Sequence, residues 1–142
     1  MTVEISTDPS RIDLDFVHGF LSESYWAPGI PLEVVRRSIE NSLPFGAYDG
    51  TRQLGFARVI SDFATFAYIA DVFVAEGHRG AGIGQQLMNA IMAHPQLQNL
   101  RRWMLITRDA HRLYEKFGFV RATQPDRVME RRDPDVYKRS SS

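Results

Sequence analysis

Residues 79–84, Arg-Gly-Ala-Gly-Ile-Gly, lie between an apolar run from Tyr68 to Val74 and a stretch with helical periodicity from Gln85 to about Ala93. A glycine-rich turn joining a strand to a helix is a place to hold phosphate. Without Cβ atoms, successive backbone N–H groups can converge on an anion, and the helix N-terminus adds a partial positive charge. The spacing then chooses among phosphate loops. A nucleoside triphosphate loop ends in Gly-Lys-Ser/Thr, whereas Gly84 is followed by Gln85 and Gln86, so no lysine reaches a γ-phosphate and no hydroxyl reaches Mg²⁺. A dinucleotide fingerprint read from Gly80 needs glycine or alanine where Gln85 stands, and an acidic residue about 20 residues on at a strand end. The segment there, Arg102 to Ile106, holds none. What remains is Arg-x-x-Gly-x-Gly, with Arg79, Gly82 and Gly84 as fixed points.

The longer run Val72-Phe73-Val74-Ala75-Glu76-Gly77-His78-Arg79-Gly80-Ala81-Gly82-Ile83-Gly84 resembles the strand, turn and helix start that bind acetyl-coenzyme A in the GNAT superfamily of N-acetyltransferases. Further along, Ala110-His111-Arg112-Leu113-Tyr114-Glu115-Lys116-Phe117-Gly118-Phe119 resembles that family's second signature. Two motifs in the right order are far more specific than either alone. The resemblance covers residues 66–120 well and the N-terminal third in outline. It implies an α/β (α+β) GNAT fold: a mixed central sheet of about six to seven strands with helices on both faces. The fourth and fifth strands, here ending near Val74 and Thr107, would splay to admit the pantetheine arm. Strands so separated leave N–H and C=O groups that an amide-bearing arm can satisfy as a surrogate strand.

Acetyl transfer from a thioester to an amine needs a neutral nucleophile, stabilisation of an oxyanion and a proton for the departing thiolate. The resemblance implies that pyrophosphate is held by the backbone of Arg79, Gly80, Ala81, Gly82, Ile83 and Gly84, with the Arg79 guanidinium close by. It assigns the oxyanion to the backbone N–H of Val74 or its neighbour Phe73. It places the Tyr114 hydroxyl near the coenzyme A sulfur as general acid, and an unperturbed phenol is protonated at neutral pH; the competing reading is a core aromatic whose hydroxyl caps a backbone group. Asp71, where some relatives carry a carboxylate acting through water, is the candidate base, against a salt-bridged residue on one face of the sheet. Asp62 and Glu23 are weaker candidates. Thr107 stands where many relatives have asparagine holding the pantetheine arm; threonine can still donate one hydrogen bond. His111 reads as a first-turn helix residue facing solvent or cofactor, and Tyr25 and Trp26 have the shape and polar tips to line an acceptor pocket.

These residues require elements to position them. Val3 to Ile5 reads as a short strand. Ser10 with Asp13 is a helix-start signal, and Ile12, Phe16 and Phe20 recur at helical spacing. Pro28 and Gly29 interrupt, Pro31 suits the first turn of a second helix, and Leu32, Val35 and Ile39 mark its buried stripe. Phe45 to Tyr48 and Leu54 to Ile60 read as a hairpin around Asp49-Gly50, with Thr51 to Gln53 able to lengthen its loop. A third strand runs from Phe66 to Val74 into the glycine turn. Ile83, Leu87, Ala90 and Ile91 form the stripe of the following helix, closed by Pro95. Trp103 to Thr107 is the next strand, and Asp109 is the expected N-cap of a short helix that Gly118 ends. Strands are expected at Phe119 to Arg121 and Val128 to Arg131, then a frayed tail from Lys138.

Composition narrows the function. At 142 residues the chain is expected to form a single domain over 1–137, with 138–142 as tail. Hydrophobic content of 44% and charged content of 24% suit a globular protein. Seventeen basic and seventeen acidic side chains cancel, which gives no electrostatic reason for nucleic acid or an anionic membrane as partner. The chain has no cysteine, which excludes disulfides, thiolate metal sites and a cysteine carrying the acetyl group, and no metal-ligand spacing is present. Without an apolar leader, a cytoplasmic location is the default. The expectation is direct acetyl transfer from acetyl-CoA to a primary amine of a small molecule, in a monomer or homodimer. The alternatives are a non-catalytic acyl-CoA sensor, an enzyme acting on peptide or protein amines, and a toxin-type enzyme acetylating aminoacyl-tRNA, for which a basic face would be needed.

Overall fold

A computed structural model describes residues 2–139. Five strands form one sheet in chain order: β1 (Glu4–Ser6), β2 (Leu43–Asp49), β3 (Arg52–Ser61), β4 (Phe66–Val74) and β5 (Arg102–Leu105). Neighbours are antiparallel except β4 and β5, which run parallel. The β2–β3 turn is tight, with Asp49 opposite Arg52 and Gly50 at φ +60°, so the hairpin closes without the longer loop that Thr51 to Gln53 allowed. Between β4 and β5 the chain crosses over through α3 (Ile83–Ala93), as parallel neighbours require.

Helices cover both faces. On one, Ile83, Leu87, Met88 and Ile91 of α3 pack with Phe45, Leu54, Ala57, Val59, Ala67 and Ile69, joined by Tyr114 of the short helix α4 (His111–Glu115). On the other, α1 (Leu14–Ser22) and α2 (Leu32–Glu40) bury Val17, Leu21, Val35 and Ile39 against Phe56 and Phe73. Asp13 is the N-cap of α1, its side chain accepting the Phe16 N–H, while Asp8 caps a separate 3₁₀ turn over Pro9–Arg11. The helix therefore starts later than the Ser10 signal suggested, and its most buried positions are Val17 and Leu21, one residue along from Phe16 and Phe20.

Two expectations are corrected. Neither Phe119–Arg121 nor Val128–Arg131 forms a strand; among the described residues the sheet has five strands, and Pro125–Arg127 is a 3₁₀ turn. Phe119 turns inward, its ring 6.4 Å from Trp103 and 6.2 Å from Tyr114. Beyond it the segment is exposed, and a strand without a paired ladder has no independent stability. The second correction concerns α4: Asp109 does not cap it. Thr107 Oγ1 accepts the Ala110 N–H at 3.0 Å, and Asp109 faces Arg108 instead. Of the expected tail, Lys138 closes a 3₁₀ turn and residues 140–142 lie outside the described residues.

Candidate active site

The β4–β5 ladder is short. Phe66 to Ile69 pair with Arg102 to Leu105, and β4 then runs on from Ala70 to Val74 with no strand partner on that side among the described residues. This is the splay that the second half of the sequence implied. It is reinforced by a bulge: Phe56 pairs with Phe73 and Arg58 with Ala70, so Asp71 and Val72 together oppose Ala57. Asp71 takes the left-handed conformation at φ +56°, which aspartate tolerates better than most residues. An extra residue on one strand bends it and re-aims its side chains.

Register resolves which amide faces the opening. Ala75 N–H donates to Leu54 O at 2.7 Å, so position 75 points toward β3. In an antiparallel ladder successive residues direct their N–H and C=O groups to opposite sides. Val74 therefore presents its backbone to the gap, and Phe73 presents its own to β3. Arg79 agrees: its Nε donates to Val74 O at 3.4 Å, from the open side. The Phe73 side chain is buried on the α1–α2 face, stacked on Phe20 at 3.9 Å.

The turn beyond is shaped for an anion. Gly77, Gly80 and Gly82 have φ of +90°, +86° and +80°, and a Cβ at Gly80 or Gly82 would meet open space. Left-handed residues alternating with ordinary ones fold the backbone N–H groups into a concave nest. Gly82 is also the N-cap of α3 and, without a side chain, leaves the first-turn amides uncapped. Gly84 differs: its φ is not left-handed, and a Cβ would stand 3.6 Å from Leu113, so it brings α3 close to α4. The cradle, the free helix amides and the open edge of β4 together fit a phosphate-bearing ligand with an amide-containing arm.

Tyr114 belongs to the core on the α3–α4 face, and its phenol lies within electrostatic reach of Tyr25. It is 8% exposed, and its hydroxyl donates no hydrogen bond to a backbone group among the described residues, so the capping role is not observed. Burial chiefly, and then the neighbouring Tyr25, push its pKa up to about 12. A phenol held there is a proton donor through the whole neutral range. Thr107 Oγ1 accepts from Ala110, which leaves its hydroxyl hydrogen free to donate. His111 opens α4 and is half-buried.

From the opposite face the α1–α2 loop closes the gap. Trp26 Nε1 donates to Asp71 Oδ1 at 2.8 Å, and Arg58 Nε donates to Asp71 Oδ2 at 2.7 Å. Both carboxylate oxygens are thus engaged, the salt-bridged arrangement, although each keeps lone-pair capacity for water. Tyr25 stands edge-on to Trp26 at 5.0 Å, and the Arg108 guanidinium lies 3.8 Å over its ring. Arg108 comes from the β5–α4 loop, so a cation–π contact of roughly 0.5–1 kcal/mol spans the cleft. Asp62 is elsewhere: its carboxylate accepts the N–H groups of Ala64, Thr65 and Phe66 and the Thr65 hydroxyl in the β3–β4 turn, which hold it well below the usual carboxylate range. Glu23 is the exposed C-cap of α1. Arg58, Arg108 and Tyr68 are additions that the motifs did not single out. The available signal for Arg58 was a lone charge in the apolar run Leu54 to Ile60, one strand from Asp71.

Residues 40–121 match the family model described as an acetyltransferase (GNAT) domain. A relative from Gibberella zeae named "Putative acetyltransferase FG08082" is 32% identical in an alignment that covers 79% of this chain and 75% of the relative. A crystal structure from Xanthomonas campestris pv. campestris, described as a "putative acetyltransferase belonging to the gnat family", superposes with a TM-score of 0.93 at 51% identity, covering 96% of this chain and 97% of that one. A more distant structure, a "predicted acetyltransferase with acetyl-CoA" from Clostridium acetobutylicum, shares the fold with a TM-score of 0.67 at 16% identity, over 92% of this chain and 95% of that one.

Proposed function

Because this chain belongs to the GNAT family of acetyltransferases, we propose that it transfers an acetyl group from acetyl-CoA directly to a primary amine of a small molecule. The observation that carries this reading is the left-handed glycine nest at Gly80 and Gly82, which follows directly on the open edge of β4 ending at Val74. Bound acetyl-CoA supplies a thioester carbonyl open to attack by an amine. The amides from Arg79 to Gly84 and the Arg79 guanidinium hold its pyrophosphate, and Thr107 and His111 line the arm. The Val74 N–H, on the unpaired side of β4, would donate to the carbonyl oxygen, where a donor is worth most when negative charge develops. Tyr114 Oη holds the proton that a thiolate needs on leaving. An alkylamine of pKa about 10.4 is mostly charged at neutral pH and must lose a proton first; Asp71 accepts it through water while anchoring Trp26. Tyr25 and Trp26 shape the acceptor mouth. With no cysteine in the chain, no acetyl-cysteine stage precedes attack.

The test has two parts. Acetyl-CoA should raise the melting temperature of the protein, as any ligand of the native state does, and Gly82→Asp should abolish that shift by setting a carboxylate where phosphate sits. Thioester consumption against a panel of amines then separates an enzyme from a sensor, because a sensor binds without turnover. Stabilisation that persists unchanged in a folded Gly82→Asp variant would remove the phosphate-turn assignment.

A further inference from the structure

The Arg58–Asp71 pair is half-used. Asp71 occupies Nε, the side of the guanidinium, and the two terminal nitrogens of Arg58 make no hydrogen bond among the described residues. They are not sealed, since Tyr48 Oη is the one buried side-chain polar atom without a partner among those residues; the terminal nitrogens open to solvent, and so does the hydroxyl of Tyr68. Arg58 and Tyr68 sit on neighbouring strands on the same face, with Arg58 opposite Ala70 and Ile60 opposite Tyr68, and the charges of Asp71 and Arg58 both act on the Tyr68 phenol. Helices α1 and α2 do not cover this end of the sheet: Ile60 is 42% exposed beside them.

We propose that the end-on fork of Arg58, with the Tyr68 hydroxyl, binds a carboxylate of the acceptor, making the substrate class free amino acids. An arginine fork takes a carboxylate through two parallel hydrogen bonds, and here its side position is already filled, so the end-on approach is the one left. Asp71 and Trp26 act as positioning residues that fix the guanidinium plane. Other charges near this face are the Arg108 guanidinium over Tyr25 and Glu130, whose charge acts on the Tyr68 phenol. A peptide N-terminus or a protein lysine has no free carboxylate beside its amine, so the subsite also selects against them.

This inference rests on the acetyltransferase reading, and the experiment keeps the two apart. Initial rates of thioester consumption by the full chain are measured on matched triads: a free amino acid, its carboxamide and its decarboxylated amine. For at least one side chain the free acid should exceed its carboxamide in kcat/KM by about 10²-fold or more, because the fork pairs with a carboxylate through two charge-assisted hydrogen bonds, whereas a neutral carboxamide offers it one accepting oxygen. Arg58→Gln alone strands the Asp71 charge, so Arg58→Lys, which keeps a cation beside Asp71 but lacks the fork, is used beside it; it should cut the ratio at least tenfold while the acetyl-CoA melting shift persists. Tyr68→Phe, which leaves the ion pair intact, should lower the ratio severalfold through KM. Carboxamides and simple amines turning over as well as the acids, or a ratio that survives Arg58→Lys, overturns the carboxylate subsite and leaves the enzyme standing. No turnover with any amine overturns both.

Discussion

Tyr114 is fixed by its ring and leaves its hydroxyl uncommitted, and that division makes the residue testable. The ring packs in the α3–α4 core beside Phe119, so Tyr114→Phe keeps the packing and removes only the donor. The expected result is a fall in kcat of about 10²-fold or more with acetyl-CoA binding and melting temperature nearly unchanged, the usual scale for general acid catalysis. A variant turning over at the parent rate would return that proton to water. At this scale the sequence was most informative where a motif fixes a backbone shape, as at Gly80 and Gly82, and where a motif names a side chain, as at Tyr114. It left Val74 and Phe73 undecided because the direction of a peptide group depends on which residue pairs across the ladder, and that register is a property of two strands. Arg58 escaped notice for a related reason: its partner is 13 residues away and only the bulge at Asp71 brings them together.

Elements meet at this cleft through their ends. α4 starts with Ala110 at its cap and has no side-chain cap bond; the side-chain bond at its entry is Thr107 Oγ1 accepting the N–H of Ala110 itself. The sequence suggested Asp109, the residue type and place that usually cap; the β5–α4 loop instead brings the Thr107 hydroxyl to the helix entry and leaves Asp109 in solvent. Thr107→Ala should therefore destabilise the protein by about 1 kcal/mol, the typical net worth of one hydrogen bond, and raise the KM for acetyl-CoA, while Asp109→Ala changes melting by little. Equal effects of the two changes in a thermal melt would show that Thr107 Oγ1 does not hold the helix entry. The strands expected at Phe119–Arg121 and Val128–Arg131 fail at the same level. Their residues have strand propensity, but propensity supplies no partner, and Pro125 with the neighbouring arginines 121, 127, 131 and 132 favours a solvated, turning path. Helices and the central strands were legible because burial repeats within each segment at a period of its own, 3.6 or 2 residues.

The whole molecule is a sheet with one aromatic core on each face, and each side of it buries a tyrosine at an energetic cost that pH reveals. Tyr114 on the α3–α4 side and Tyr48 in β2 both have phenols pushed up to about 12, in each case mainly by burial. Tyr48 is 1% exposed, its hydroxyl has no hydrogen-bond partner among the described residues, and it lies against Gly46, where a Cβ would come within 2.3 Å of the oxygen. Arg11 covers the ring at 4.3 Å. A folded-state pKa above the ordinary value of about 10 means that the native state favours the protonated phenol more than the unfolded chain does. That stabilisation is fully present below pH 10 and is lost as pH rises toward 12, at most on the order of 2 kcal/mol per tyrosine. Stability should thus be insensitive to these groups from pH 7 to 9 and fall steeply between pH 10 and 12. Tyr114→Phe and Tyr48→Phe should each flatten the fall, and the double variant should flatten it most. Tyr48→Phe should also leave neutral-pH stability unchanged or raised, because it removes a buried hydroxyl that forms no hydrogen bond. Urea unfolding followed at pH 7, 9, 10.5 and 11.5 measures both effects, and an alkaline slope identical in parent and double variant would mean that neither phenol is held neutral by the fold.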